Sequence, residues 1–209
     1  MKRLTVVMLV CALVSAASAA LTPDINYSTD DGGKWHYDGV DTLSIIGSIG
    51  IDDIQGSLSD TLVNQSIHIP GFKFSNLSNP YPGLVNAAAT PGKPIMIKDA
   101  NGNMLLRGKL QTGDFFAFNT VSGAYTEFKA DITVDFVDNA IGSALLSSIS
   151  VGSMLDFNIT LQHNSDFADI ISQGLDTTGT LSGSMTLIPE PATLAILAFG
   201  SLLARRKRR

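Results

Sequence analysis

Apolar and polar residues alternate along much of the middle of the chain. Between Phe128 and Phe136 every second residue is apolar, and Lys129, Asp131 and Thr133 occupy positions between them. A period of two places one set of side chains towards a core and the other towards water, as in an antiparallel sheet with one wet face. Runs of strand character, separated by turn residues, predict strands over Thr42 to Ile51, Thr61 to Ile69, Phe72 to Ser75, Ile95 to Lys98, Met104 to Leu110, Phe115 to Phe118, Tyr125 to Val137, Leu155 to His163 and Thr180 to Ile188.

Turn signals connect these runs. The pair Asn101-Gly102 is the strongest local signal for a β-hairpin in the chain. The stretch from Asn79 to Pro94 contains several prolines and glycines and predicts a long loop, while Asn139 to Ser148 and Asp166 to Gln173 predict short helices. The predicted fold class is all-β: an antiparallel β-sandwich or jelly-roll-like domain with one or two short helices.

The N-terminal residues have the organisation of a secretory signal peptide. Two basic residues precede the apolar block from Leu4 to Val14, and small residues follow it. Ala17 and Ala19 form the small-x-small pair that signal peptidase recognises, so residues 1–19 are the predicted signal peptide, cleaved after Ala19. An uncut anchor is disfavoured because 11 residues of helix span about 16 Å against roughly 30 Å of hydrocarbon. Cleavage also removes Cys11, so the mature protein forms no disulfide.

The C-terminal residues form a second address segment. Pro189, Glu190 and Pro191 are followed by an apolar run over residues 192–204 and then by a basic end. The two prolines keep the backbone extended around the glutamate. The apolar run of 13 residues is short for a stable span, which favours a transient inner-membrane anchor with its basic end on the cytoplasmic side. That end consists of Arg205, Arg206, Lys207, Arg208 and Arg209.

This tail resembles the PEP-CTERM sorting signal of exported proteins in Gram-negative bacteria. The resemblance covers residues 188–209 and rests on the order of its three parts: the motif 189–191, the apolar segment 192–204 and the basic stop signal 205–209. It implies that an exosortase in the membrane recognises the motif and cleaves nearby. It also implies an inner-membrane-anchored precursor that is then delivered to the cell surface or extracellular matrix. Residues 20–187 are then the exported domain.

The net charge of the exported domain limits the classes of partner that it can bind. Between the two terminal segments, seven basic residues stand against 18 acidic ones, a net charge of −11. Such a surface repels phosphate, which excludes a nucleic-acid partner. Carboxylates gathered in loops suit calcium, and the candidate ligands are Asp30, Asp31, Asp52 and Asp53. Solvated charge that keeps the protein soluble is the alternative interpretation. Calcium is the one cofactor that the sequence suggests.

Catalytic motifs are absent from the sequence. His36, His68 and His163 lie in none of the spacings typical of a metal site or an activated nucleophile, so no catalytic residue is predicted. The expected function is therefore that of a structural or adhesive protein of the cell surface. The alternative is a secreted carbohydrate-binding module or glycan-active enzyme with an extracellular polysaccharide as its partner.

Aromatic residues suggest that alternative. Trp35, Tyr37 and Tyr81 could stack on sugar rings, although core packing of the single tryptophan is equally ordinary. N-x-S/T sequons provide a weak indication of glycosylation, since such short patterns arise often by chance. They occur at Asn26, Asn64, Asn76 and Asn158.

Overall fold

The computed structural model describes residues 24–29, 32–55, 60–81, 84–91, 93–120, 123–163 and 167–188. These residues are mostly strand, with two short helices. The strands are β1 (Asp24–Ser28), β2 (Lys34–Asp38), β3 (Thr42–Ile46), β4 (Ile49–Gln55), β5 (Ser66–His68), β6 (Phe72–Tyr81), β7 (Leu84–Pro91), β8 (Ile95–Lys98), β9 (Met104–Leu110), β10 (Gly113–Thr120), β11 (Gly123–Val137), β12 (Met154–Gln162) and β13 (Asp176–Ile188). The helices are α1 (Ala144–Ser148) and α2 (Phe167–Gln173).

Hydrogen bonding closes eight of the strands into a barrel. The order is β1-β4-β5-β8-β9-β11-β12-β13, and β13 pairs with β1 to complete the ring. The strands β10, β7, β6, β3 and β2 form a second connection between β11 and β13. The all-β, antiparallel prediction and the short helices are thus confirmed, in the form of a closed barrel.

The two longest strands, β11 and β13, belong both to the eight-strand ring and to the second connection. Along β11, pairing with β10 ends at Lys129 and pairing with β9 begins at Ile132, and a bulge lies within the β9 pairing between Val134 and Phe136. Likewise, β13 pairs with β2 at its start and with β1 from Ser182 to Thr186. Because each of these strands changes partner along its length, it belongs to both connections.

Local structure departs from the sequence prediction in several places. The predicted loop from Asn79 to Pro94 is wrong, because this stretch contains the end of β6 and all of β7. Ala88 and Ala89 pair with both β6 and β10, and Ala87 pairs with β10, so backbone pairing outweighs the low strand propensity of these alanines. β1 and β2 were not predicted. The hairpin at Asn101-Gly102 is confirmed, because it joins β8 to β9.

Two glycines of β13 let aromatic rings approach the backbone of β12. Gly183 lies opposite Tyr27 of β1, whose hydroxyl donates a hydrogen bond of 2.6 Å to the Asn158 carbonyl oxygen. Gly179 lies opposite Trp35 of β2, whose indole N–H donates to the Gln162 carbonyl oxygen at 3.3 Å. Both rings are fully buried. The missing side chains at these glycines create the space that the two rings occupy.

A buried carboxylate connects the turn before β5 to α1. Asp60 accepts hydrogen bonds of 2.9 Å from the backbone N–H groups of Leu62 and Leu145. The second of these belongs to the first turn of α1, where backbone N–H groups lack partners within the helix. Ser143 caps the same helix by accepting from the Leu146 N–H at 3.0 Å. Asp60 thus joins segments that lie 85 residues apart in the chain.

Candidate functional site

The outer face of β11 and β12 carries a compact cluster of polar side chains. Lys129 of β11 lies directly opposite Asn158 of β12, and Glu127 lies two residues before Lys129. One carboxylate oxygen of Glu127, Oε1, accepts from Lys129 Nζ at 3.1 Å and from Asn158 Nδ2 at 3.1 Å. We call these three residues the Glu127 cluster.

Alternation along both strands positions this cluster. Phe128 and Ala130 of β11 and Phe157 and Ile159 of β12 are buried in the core, so the residues between them face outward. The Glu127 side chain is only 17% exposed, whereas that of Lys129 is 54% exposed. The carboxylate is therefore partly shielded and faces an amine and an amide at the same time.

Two aspartates extend this face with negative charge. Asp131 and Asp156 are direct cross-strand partners, and both are exposed. Like charges directly opposite each other destabilise a sheet by a few tenths of a kcal/mol up to about 1 kcal/mol. This part of the outer face is therefore exposed to water and carries negative charge.

The predicted calcium ligands lie partly in the described structure. Asp52 and Asp53 are exposed on β4, where the register with β1 shifts and makes Asp52 the extra residue of a bulge. Both carboxylates therefore face solvent although they are consecutive. Asp30 and Asp31 lie outside the described residues. Within the described ranges, no group of three or more His, Cys, Asp or Glu side chains is arranged to hold a metal ion.

The calcium hypothesis predicts a chelator effect. A site occupied at 100 times its dissociation constant contributes about 2.7 kcal/mol of stability, so EDTA would lower the melting temperature by roughly 5 to 10 °C. Thermal melts with and without EDTA measure this. The double variant Asp52→Asn/Asp53→Asn is the control, since it would melt at the same temperature in either buffer. A wild-type melting temperature that EDTA leaves unchanged would contradict the hypothesis.

Two of the candidate sugar-stacking residues do not have the exposed positions that the carbohydrate hypothesis requires. Trp35 and Tyr37 are buried in the core, so neither offers a ring face to a polysaccharide. Their alternation with His36, which faces outward, is a signal that could have indicated this strand, although β2 was not predicted. The Tyr81 side chain lies outside the described part of the structure.

The three histidines occupy separate surroundings. His36 Nε2 lies 2.7 Å from Asp176 Oδ1 at the surface. The ring of His163 meets the edge of Trp35, with centroids 5.7 Å apart. Burial, followed by the positive charge of Lys98, lowers the pKa of His68. The three histidines thus lie in different surroundings and form no shared site.

The predicted processing residues lie outside the described residues. These are Ala17, Ala19, the motif Pro189, Glu190 and Pro191, and the basic end 205–209. The helices of the described ranges are all too short or too polar to cross a bilayer. No protein-family model, curated protein or solved structure matches this chain.

Proposed function

We propose that this protein is exported, sorted by an exosortase, and retained at the cell surface or in the extracellular matrix as a structural or adhesive component. The observation that supports this most directly is where the barrel begins and ends. β1 begins at Asp24, shortly after the predicted cleavage at Ala19, and β13 ends at Ile188, directly before Pro189. Removal of both predicted segments would therefore leave every described strand intact.

The start of β1 and the end of β13 lie next to each other in the barrel. Asp24 pairs with Thr186, and the Thr186 hydroxyl donates a hydrogen bond of 2.9 Å to Asp24 Oδ1. The exposed acidic face, which includes Asp131 and Asp156, supports a role in contact with water.

We also propose that the barrel is flattened into two layers, as in the predicted sandwich or jelly roll. Packing across the core supports this arrangement. Phe72 of β6 and Phe128 of β11 lie with ring centroids 4.4 Å apart, although β7 and β10 separate their strands in the sheet. In a flat sheet, three strand spacings would separate them by roughly 14 Å. A flattened barrel whose walls face each other, as in a sandwich or jelly roll, brings such rings together.

Replacing Pro189, Glu190 and Pro191 by alanine is expected to leave the full-length protein in the inner membrane. The exosortase would lose its recognition motif, while the apolar segment and the basic end would still hold the precursor in place. Fractionation of the natural host followed by immunoblotting measures the released and membrane-bound forms.

The matched control is the double variant Thr178→Ala/Thr180→Ala, which changes two exposed hydroxyls of β13 close to the motif. We expect this variant to be released like the wild type. Normal release of the triple-alanine variant would overturn the proposed sorting.

A further inference from the structure

The Glu127 cluster contains the three groups needed to form an amide bond between two side chains. Lys129 supplies an amine, Asn158 a carboxamide, and Glu127 a carboxylate that contacts both. The two nitrogen atoms are each 3.1 Å from the same oxygen, Glu127 Oε1. These contacts hold the amine, the carboxamide and the carboxylate next to one another before the reaction.

We propose that Lys129 and Asn158 become joined by an intramolecular isopeptide bond between Lys129 Nζ and Asn158 Cγ, with Glu127 as the catalytic residue. This goes beyond the proposed sorting function and does not depend on it, because all three residues lie in the barrel. The product would be a covalent link between β11 and β12.

The reaction balances without any further reactant. The Glu127 carboxylate accepts a proton from the Lys129 ammonium, and the resulting amine attacks Asn158 Cγ. A carbon–nitrogen bond forms, the bond between Cγ and Nδ2 breaks, and Glu127 passes its proton to the leaving Nδ2. Nζ loses a second proton, which also ends on Nδ2. Ammonium therefore departs, and Glu127 returns to its starting form.

The sheet holds the reacting groups in place. β11 and β12 pair without a register shift from Thr126 opposite Leu161 to Thr133 opposite Met154. Lys129 and Asn158 lie within this ladder, so their backbones are fixed on neighbouring strands. Such positioning gives intramolecular reactions effective concentrations far above those of free reactants in solution.

The link would act on the unfolded chain as a disulfide does. It would close a loop between Lys129 and Asn158, which lie 29 positions apart in the chain, and so restrict the unfolded ensemble. The predicted mature chain has no cysteine with which to make such a link.

Peptide mapping by mass spectrometry tests the bond. Trypsin does not cut after an acylated lysine, so peptide 110–129 should no longer be released from the full chain. Fragments containing Lys129 and Asn158 should stay joined and lack the mass of one ammonia molecule. Release of peptide 110–129 with an unmodified Asn158 would overturn the proposal. So would loss of ammonia at Asn158 with Lys129 still cleaved, or a glycan on the Asn158 sequon.

Substitutions in the Glu127 cluster test the role of each of its residues. Lys129→Arg and Glu127→Gln should each abolish the link, and Asn158→Asp should form it with loss of water in place of ammonia. Lys109→Arg is the matched control, because Lys109 is an exposed lysine of neighbouring β9 whose cross-strand partner is Thr133. It should leave the link unchanged. A full link in Glu127→Gln would overturn the catalytic role of Glu127.

Discussion

Gly183→Ala is expected to destabilise the barrel by about 3 kcal/mol, which is the upper range for overpacking a well-filled core. A β-carbon at this position would lie 2.5 Å from the Tyr27 hydroxyl oxygen and 2.6 Å from the ring carbon that bears it, and would also overlap the Asn158 carbonyl oxygen. The lower entropy of an unfolded chain with alanine offsets only about 0.4 to 1 kcal/mol. The steric effect therefore dominates.

Urea unfolding monitored by the fluorescence of Trp35, the single tryptophan, measures the loss. Ser184→Ala is the control: it changes the next residue of β13, whose side chain faces outward, and should alter the free energy of unfolding by less than about 0.5 kcal/mol. A Gly183→Ala free energy equal to that of the wild type would show that Tyr27 does not cross β13 at this glycine.

The hydroxyl of Tyr27 can be examined separately. Tyr27→Phe removes its hydrogen bond to the Asn158 carbonyl and should cost about 1 kcal/mol. Burial, followed by the charge of Asp24, raises the pKa of Tyr27, so the phenol stays protonated and able to donate. Because the lost oxygen also relieves part of the clash, the double variant with Gly183→Ala should be less destabilised than the sum of the single variants.

The packing of aromatic rings against the glycines of β13 could be predicted only in part from the sequence. Along β13, Thr178, Thr180, Ser182 and Ser184 alternate with glycine and apolar residues, and most of this stretch was predicted as a strand. The partners of the glycines could not be predicted, because Tyr27 lies about 150 residues earlier and strand pairing at that distance leaves no local pattern. Alternation places a residue on a face, but it does not say which strand lies opposite.

The same limit applies to the candidate site. Period-two alternation correctly placed Lys129 on the wet face of its strand, and Asn158 was noted only as part of a sequon. Their contact through Glu127 depends on the register of β11 with β12, which the sequence does not encode locally. Conversely, Trp35 and Tyr37 alternate with His36, a local pattern from which β2 and a shared buried face of the two rings could have been predicted, although neither was.

Asp60→Ala is expected to cost about 3 kcal/mol at neutral pH, because it leaves the Leu62 and Leu145 N–H groups buried without their charged acceptor. The Asp60 residue is only 6% exposed, so water replaces these bonds poorly. Asp60→Asn keeps the shape of the side chain but loses the charge, and should cost somewhat less. Asp138→Asn, at an exposed carboxylate directly after β11, is the control and should change stability by less than about 0.5 kcal/mol.

The cost of losing Asp60 should also depend on pH. Burial alone would raise the pKa of Asp60, but hydrogen bonds from the Ser143 hydroxyl and from the Leu145, Leu62 and Ala144 amides outweigh it and lower the pKa. A carboxyl with a lowered pKa in the folded state contributes stability that is present above its unfolded pKa of about 3.9 and is lost as pH falls through the folded value. The difference in unfolding free energy between wild type and Asp60→Asn should therefore be constant from pH 7 to about pH 5 and shrink below about pH 4. Urea unfolding across this range measures it, and a difference that stays constant down to pH 2 would contradict the role of the charged form.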